Sequence, residues 1–214
     1  MDYSKVLSVM WKEGKAKGAF VFRKDNILTA PYRALLFTVL SARTRDENTY
    51  KVCKELFRVA DTPEGVVALG DVKLGRLIYS IGFYRAKTKR VMELSRMLIA
   101  KFGGEVPGTR EELMELPGVG RKTANIILNR VFGQETLAVD VHVHRISNRL
   151  GWVKTKTPEK TEHAVMEILP KNLVRKCNKA MVAYGQTVCL PRNPKCKTCK
   201  IKEYCKRVGL PKLD

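Results

Sequence analysis

Acidic residues are scarce in this sequence. It has 21 Asp and Glu against 41 Lys and Arg, which gives a formal net charge of +20 at pH 7 over 214 residues. The basic residues run from one end of the chain to the other, so the excess is not confined to a tail. An excess of this size favours a polyanionic partner, and nucleic acid is the first candidate.

Long apolar runs are also missing. A membrane surface is the alternative anionic partner, but the sequence has neither an apolar run that would cross a bilayer nor a cationic amphipathic anchor. The segment 1–6 lacks the charged and then apolar layout of a secretory signal. We therefore expect a cytoplasmic protein without membrane contact. The length allows one large domain or two small ones.

Cysteines are few, and four of the six lie close together near the C-terminal end, at Cys189, Cys196, Cys199 and Cys205. Disulfides are rare in a reducing cytoplasm, so this cluster predicts a metal site. Four thiolates suit zinc or an iron–sulfur cluster equally well by number. The spacing is not a ferredoxin pattern, which argues against a simple electron carrier. Cys53 and Cys177 lie in apolar helical patterns and are predicted to be core residues.

Helical periodicity dominates the rest of the chain. It predicts helices over residues 32–40, 46–60, 73–81, 84–102, 122–132, 158–169 and 171–188, with a short helix starting at 62–63 and another after a capping box at 109–112. One segment, Leu137–Ile146, alternates apolar and polar residues as a strand does. A lone strand in a helical chain would lack a partner. We therefore prefer an extended entry to Asp140, which caps a helix.

The segment Leu116–Asn125 joins a glycine-rich turn to a potential amine nucleophile. Gly118 and Gly120 are free to adopt backbone angles closed to other residues, so the N–H groups of the turn can converge on one anion. A helix starting at Lys122 directs its positive end at the same anion, which places this lysine beside it. The alternative is a turn that only connects two helices.

The chain resembles, over nearly its whole length and in order, the endonuclease III family of DNA glycosylases within the helix-hairpin-helix superfamily. The segments that carry the resemblance are Val39–Ala42, Ile81–Tyr84 followed by Lys87, Gly104–Pro107, Leu116–Asn125, Ala138–His142 and the four clustered cysteines.

The resemblance implies an all-α fold of two helical domains. One is a helical barrel over residues 23–133 that contains the helix-hairpin-helix motif, and the other joins residues 1–22 to 134–214 and ends in an iron–sulfur cluster loop. The cysteine spacing is similar to that of the family's cluster site. The resemblance therefore favours one [4Fe-4S] cluster over zinc, held by the four clustered cysteines.

The resemblance also implies a chemistry. Lys122 would attack C1′ of a nucleotide flipped out of the duplex, release a damaged base and form a Schiff base that permits β-elimination. Asp140 would accept a proton and stabilise positive charge on the sugar, a role compatible with helix capping. The expected substrate is double-stranded DNA with oxidised pyrimidines or abasic sites, and the expected state is a nucleoid-associated monomer.

Ten residues are expected to contact DNA. They are the turn residues Leu116, Gly118, Val119, Gly120 and Arg121, then Arg43 and Phe83, and the basic loop residues Arg192, Lys195 and Lys197. Family members often carry Gln at the position of Arg43, where it fills the space left by the extruded nucleotide. Phe83 is a candidate wedge into the base stack, with a core aromatic as the alternative. The basic loop contacts the phosphate backbone or is a solvated surface.

Two other functions remain open at this point. The first is a glycosylase of the same superfamily with another specificity, for mismatches or other lesions. Lys122 argues against the monofunctional adenine-removing branch, which lacks this lysine. The second is a non-catalytic DNA-binding or redox-sensing iron–sulfur protein, against which Lys122 and Asp140 together argue.

Overall fold

The computed structural model describes residues 2–23 and 30–211, and all its regular elements are helical, which confirms the predicted all-α class. The α-helices are α1 Tyr3–Ala16, α2 Pro31–Ser41, α3 Asp46–Val59, α4 Pro63–Leu77, α5 Tyr84–Phe102, α6 Arg110–Glu115, α7 Arg121–Arg130, α8 Val141–Leu150, α9 Pro158–Ile168 and α10 Lys171–Thr187. Short 3₁₀ turns span Phe20–Phe22 and Lys202–Tyr204. No helix in the described ranges is both long and apolar enough to cross a membrane.

The chain divides into two compact units. One is Lys24–Gln134, which contains α2 to α7, and the other joins Met1–Arg23 to Glu135–Asp214 and contains α1 and α8 to α10. Each unit has a hydrophobic core of its own.

Helix α2 is the central element of the unit Lys24–Gln134. Pro31 occupies the first helical position, where a missing N–H is tolerated because that group has no partner inside a helix. Residues 34–40 are all buried. A helix that is buried all round must be covered by its neighbours. Helices α3, α5 and α7 of the same unit pack against it.

Helix α4 differs from the predicted pair of helices. Thr62 caps it by accepting a hydrogen bond from the Gly65 N–H at 3.1 Å, and the helix continues to Leu77. Gly70 interrupts it with φ 70° and ψ 165°, angles that an L-residue rarely adopts. The predicted break is therefore a kink inside one element. The predicted end at residue 81 is wrong, because the chain turns at Ile78, whose carbonyl accepts the Ile81 N–H at 2.9 Å.

Close contact between α1 and α10 organises the second unit. A Cβ atom on Gly14 would lie 2.5 Å from Cβ of Ala183, so the absence of a side chain lets the two helices approach. Cys177 of α10 is fully buried, as is Cys53 of α3 in the other unit, and both are core residues as predicted.

Helix α8 confirms the helical interpretation of a segment whose pattern is typical of a strand. Residues 133–140 have no regular structure, and the helix starts at Val141 with Asp140 as its N-cap. Gly151, at φ 72°, ends it. Val143, Ile146 and Leu150 form one buried face, since they are three and four residues apart.

Candidate functional site

Two apolar side chains anchor the turn between α6 and α7 in the hydrophobic core of its unit. Leu116 and Val119 are buried in the core of their unit, at 1% and 6% exposure. The Val119 N–H donates to the Leu116 carbonyl at 3.0 Å and closes the turn. The side chains of both residues therefore face the protein, so their predicted contact with DNA is restricted to main-chain atoms.

Only one of the two glycines uses a backbone conformation that other residues rarely adopt. Gly118 has φ 84°, in the left-handed region. Gly120 has φ −100° and ψ 176°, which any residue adopts, so the prediction of unusual backbone angles at Gly120 is wrong. A Cβ atom on Gly120 would meet no protein atom within 4 Å in the described structure.

The start of α7 has features that favour an anion. Gly120 is its N-cap and, as a glycine, makes no side-chain cap hydrogen bond. Within residues 2–23 and 30–211, the N–H groups of Gly118 and Gly120 donate no hydrogen bond. The half-buried Arg121 and the exposed Lys122 are the first two residues of the helix. Free N–H groups, the helix dipole and two cations together suit a phosphate.

A polar contact that the sequence did not reveal joins α6 to α7. The Arg110 Nε–H donates to Oδ1 of Asn125 at 3.0 Å, and Asn125 is fully buried. Thr109 caps α6 by accepting the Glu112 N–H at 3.3 Å, which agrees with the predicted capping box. These contacts fix the two helices that flank the turn. Because Arg110 and Asn125 are 15 positions apart and lie on either side of the turn, only the fold shows the pairing.

Asp140 caps α8 with one carboxylate oxygen. Its Oδ1 accepts the N–H groups of His142 and Val143, both at 2.9 Å, and the residue is half-buried. Lys122 lies in the unit Lys24–Gln134, whereas Asp140 lies in the unit that contains Glu135–Asp214.

The His144 ring has a structural hydrogen-bond partner. Its Nδ1 lies 2.7 Å from the Thr161 hydroxyl.

Arg145 makes a second set of contacts that the sequence did not reveal. Its Nη2 lies 2.9 Å from the Cys189 carbonyl oxygen, 3.4 Å from that of Gly185 and 3.1 Å from Nδ1 of His142. Burial is the largest influence on this guanidinium and lowers its pKa. Arg145 therefore links the helix that Asp140 caps to the first clustered cysteine.

Arg43 and Phe83 lie on neighbouring turns of one unit. Both have positive φ, 53° and 60°, although neither is glycine. Phe83 is 64% exposed, so the alternative of a core aromatic is wrong. The Arg43 guanidinium carbon lies 5.7 Å from the centroid of the Phe83 ring, at cation–π distance.

Cys189, Cys196, Cys199 and Cys205 all line one cavity of about 30 Å³, together with apolar side chains such as Ile146, Leu150 and Ile201. The Arg149 Nη1 donates to the sulfur of Cys189 at 3.4 Å, and the Tyr184 hydroxyl lies 3.1 Å from the sulfur of Cys199. In the described part of the chain, no group of three or more His, Cys, Asp or Glu side chains is arranged to hold a single metal ion.

Three cations of the predicted basic loop are exposed between and beside the cysteines. They are Arg192, Lys195 and Lys197. The Lys195 N–H donates to the Val188 carbonyl at 3.0 Å, which holds the loop against the end of α10. The shape of this loop therefore depends on its cysteine-containing base, while its charges face solvent.

Comparison with known proteins defines the class. The family described as HhH-GPD superfamily base excision DNA repair protein matches residues 36–171, and the chain belongs to it. Within that superfamily it belongs to the endonuclease III family. It is 52% identical to the Endonuclease III of Thermotoga maritima over 184 residues, which cover 86% of each chain.

Two solved structures resemble the fold. A trapped Endonuclease III–DNA covalent intermediate with an estranged adenine has a TM-score of 0.79 and 39% identity, covering 83% of this chain and 84% of that one. A non-covalent Endonuclease III–DNA complex has a TM-score of 0.80 and 35% identity, covering 89% and 95%. The chain is a base excision repair enzyme that acts on DNA, as its family membership establishes.

The two glycines of the turn should respond differently to alanine. Gly118→Ala should lower the free energy of unfolding by about 1–2 kcal/mol, because the new residue must adopt a left-handed conformation. Gly120→Ala should lower it by about 1 kcal/mol or less, yet weaken DNA binding several-fold, because its methyl group enters the open space beside the free N–H groups. Chemical denaturation and a duplex-binding titration measure the two effects. Equal DNA affinity of Gly120→Ala and the unchanged protein would show that no ligand approaches this face.

Proposed function

We propose that the chain is a bifunctional DNA glycosylase and abasic-site lyase that removes oxidised pyrimidines, with Lys122 as its nucleophile. The observation that carries the proposal is the position of Lys122. Its exposed side chain starts from the first turn of α7, directly after a turn in which the N–H groups of Gly118 and Gly120 donate no hydrogen bond within the described part of the chain. A nucleotide phosphate held there would bring its sugar within reach of the amine.

The proposed reaction begins with an extruded nucleotide, since C1′ of a stacked nucleotide is inaccessible. The neutral Nζ of Lys122 forms a bond to C1′ while the glycosidic bond breaks, and the base leaves with the bonding electrons and gains a proton. Opening of the sugar ring gives a Schiff base between Lys122 and C1′. Loss of a proton from C2′ then expels the 3′ phosphate, which cleaves the strand, and hydrolysis releases the lysine.

We assign the acid–base role to Asp140. Its Oδ1 is fixed by two N–H groups of α8, so the carboxylate has a defined orientation. A carboxylate in this orientation can stabilise positive charge that develops on the sugar. Accepting the proton that Lys122 loses would keep the amine competent to form the Schiff base.

We propose that the four clustered cysteines hold one [4Fe-4S] cluster. All four line one cavity, and their spacing, which resembles that of the family's cluster site, favours the cluster over a single zinc ion. Burial raises the pKa of the Cys196 and Cys205 thiols, and a bound cationic iron–sulfur core would stabilise their thiolates. When bound, the cluster would fix the shape of the loop that carries Arg192, Lys195 and Lys197.

Lys122→Ala should abolish the covalent protein–DNA adduct that borohydride traps on lesion-containing or abasic duplex DNA, because the change removes the proposed nucleophile. DNA affinity should change little, since the turn and the basic surface are intact.

Asp140→Asn should slow base release with little effect on stability, because asparagine caps helices as well as aspartate. Gel analysis of trapped adducts and single-turnover kinetics measure these effects. An adduct retained by Lys122→Ala would show that another amine performs the reaction.

Oligonucleotides that each carry one defined lesion separate the alternatives for specificity. Release of oxidised pyrimidines supports the proposal. Release of a mismatched base instead assigns the chain to another specificity within the superfamily. Unchanged DNA in every case, despite binding, would identify a non-catalytic DNA-binding protein.

Purified protein should be yellow-brown and contain both iron and sulfide, because four thiolates that line an apolar cavity suit an iron–sulfur cluster. Cys199→Ser should lower the iron content and the thermal stability together, since cluster binding contributes to folding. Metal analysis, visible absorption and thermal unfolding measure these properties. Colourless protein that contains one zinc ion and is fully active would contradict the assignment.

The basic loop should contribute to the salt dependence of DNA binding. On duplex DNA, the plot of log affinity against log salt should flatten by about 0.9 for each phosphate that the protein no longer neutralises. Lys195→Ala and Lys197→Ala should each have this effect, because both side chains are exposed beside the cysteines. Lys73→Ala, an exposed cation of α4, serves as the control. Slopes unchanged in both loop variants would remove the loop from the DNA interface.

A further inference from the structure

Lys87 of α5 is a buried cation that the proposed chemistry does not use. It is 4% exposed, and its ammonium group donates to the carbonyl oxygens of Leu40 at 2.7 Å and Ala42 at 2.6 Å and to the Thr44 hydroxyl at 3.0 Å. In the described part of the chain no carboxylate forms an ion pair with it. Burial, with a smaller contribution from Arg90, lowers its pKa to about 8.

The partners of Lys87 lie at the C-terminal end of α2, where the last carbonyl groups of the helix have no intrahelical donor. A lysine from another helix therefore satisfies them. The chain continues directly from these carbonyls into the turn that carries Arg43, which the Thr44 N–H closes by donating to the Ser41 carbonyl at 3.0 Å.

The same lysine also touches the turn that carries Phe83. Its main-chain N–H donates to the Phe83 carbonyl at 3.1 Å, and the Gly82 N–H donates to the Thr44 hydroxyl at 3.2 Å. A Cβ atom on Gly82 would lie 3.0 Å from the Arg43 carbonyl oxygen, so the two turns are in direct contact. Thr44 and Lys87 together join them.

The exposed tips of the two turns share two properties. Arg43 and Phe83 both have a left-handed backbone, which an L-residue keeps only where its surroundings impose it. Their side chains also contact each other at 5.7 Å, guanidinium carbon to ring centroid. The hydrogen bonds of Lys87 and Thr44 join the two turns directly beneath these tips.

We propose that Lys87 is a positioning residue that fixes Arg43 and Phe83 as one projecting pair, which enters the gap left in duplex DNA by the extruded nucleotide. The inference rests on the proposed glycosylase function. Stacked bases resist separation, so they exert a force on any side chain that inserts between them. Turns that are anchored hold the inserted side chains in place against this force, whereas loosely held turns would move and let the bases stack again.

This role predicts a dependence on the substrate. The pair is needed while a nucleotide is drawn out of a stacked duplex. It is not needed when the abasic nucleotide lies in a single strand, because no stack has to be opened there. A purely structural contribution of Lys87 would affect both substrates to the same degree.

The test compares Lys87→Met with Ser95→Ala. Methionine keeps the length of the side chain and removes the ammonium group, while Ser95 is a buried hydroxyl on the same helix that donates to the Val91 carbonyl at 2.7 Å. Single-turnover base release is measured on duplex DNA with one oxidised pyrimidine, and Schiff-base trapping on a single-stranded abasic oligonucleotide. Lys87→Met should lose about tenfold or more on the duplex and stay within about twofold on the single strand, while Ser95→Ala stays near the unchanged protein on both.

A second variant keeps the test decisive if Lys87→Met does not fold. Thr44→Val removes the shared acceptor but leaves Lys87 with its two carbonyl partners, and it should show the same duplex-selective loss. Phe83→Ala added to either variant should cause little further loss, because both changes disable the same pair. Equal losses on the two substrates, or an unchanged duplex rate, would overturn the role of Lys87. Failure of the unchanged protein to release bases or form adducts would instead overturn the proposed function.

Discussion

Burial of Leu116 and Val119 is the constraint on which the candidate site depends. Because these side chains anchor the turn between α6 and α7 in a core, the turn keeps its shape without using all of its own N–H groups. The N–H groups of Gly118 and Gly120, which donate no hydrogen bond in the described ranges, are thereby left for a ligand. Helix α8 starts in the opposite way, since the Asp140 carboxylate satisfies two of its N–H groups. One helix start is open to an anion, and the other holds an anion of its own.

The shortage of acidic residues shapes the interior as well as the surface. Two cations that are buried or half-buried, Lys87 and Arg145, are bound mainly by carbonyl oxygens near the ends of α2 and α10. Arg149 likewise donates to the carbonyls of Leu190 and Pro191, at 2.7 and 2.9 Å. Carbonyl groups at the C-terminal end of a helix carry partial negative charge, so they stabilise a cation without a carboxylate. In this chain, cations thus join helix ends to the segments that carry the proposed site residues.

Strained backbone is confined to a few positions in the described ranges, and two of them are the exposed tips at Arg43 and Phe83. A left-handed conformation at a non-glycine residue is unfavourable by itself, so it indicates that the surrounding contacts determine it. The contacts here are polar and come from three segments, namely the end of α2, the turn at Gly82 and the start of α5. An exposed aromatic side chain beside a guanidinium is an arrangement that suits contact with nucleobases.

The sequence by itself determined the helical class, the position of most helices, the Asp140 cap and the core positions of Cys53 and Cys177, because these depend on periodicity and on neighbours within a few residues. The sequence also showed the family resemblance, because most of the motifs are contiguous segments of the chain. Only the tertiary structure decided that Gly120 has ordinary backbone angles, that Phe83 is exposed, and that α4 is one kinked helix. The contacts of Lys87 with Leu40 and of Arg145 with Cys189 likewise needed the fold, because each joins residues more than forty positions apart. Local pattern fixes which residues share a helix face, whereas packing of distant segments decides which polar groups meet.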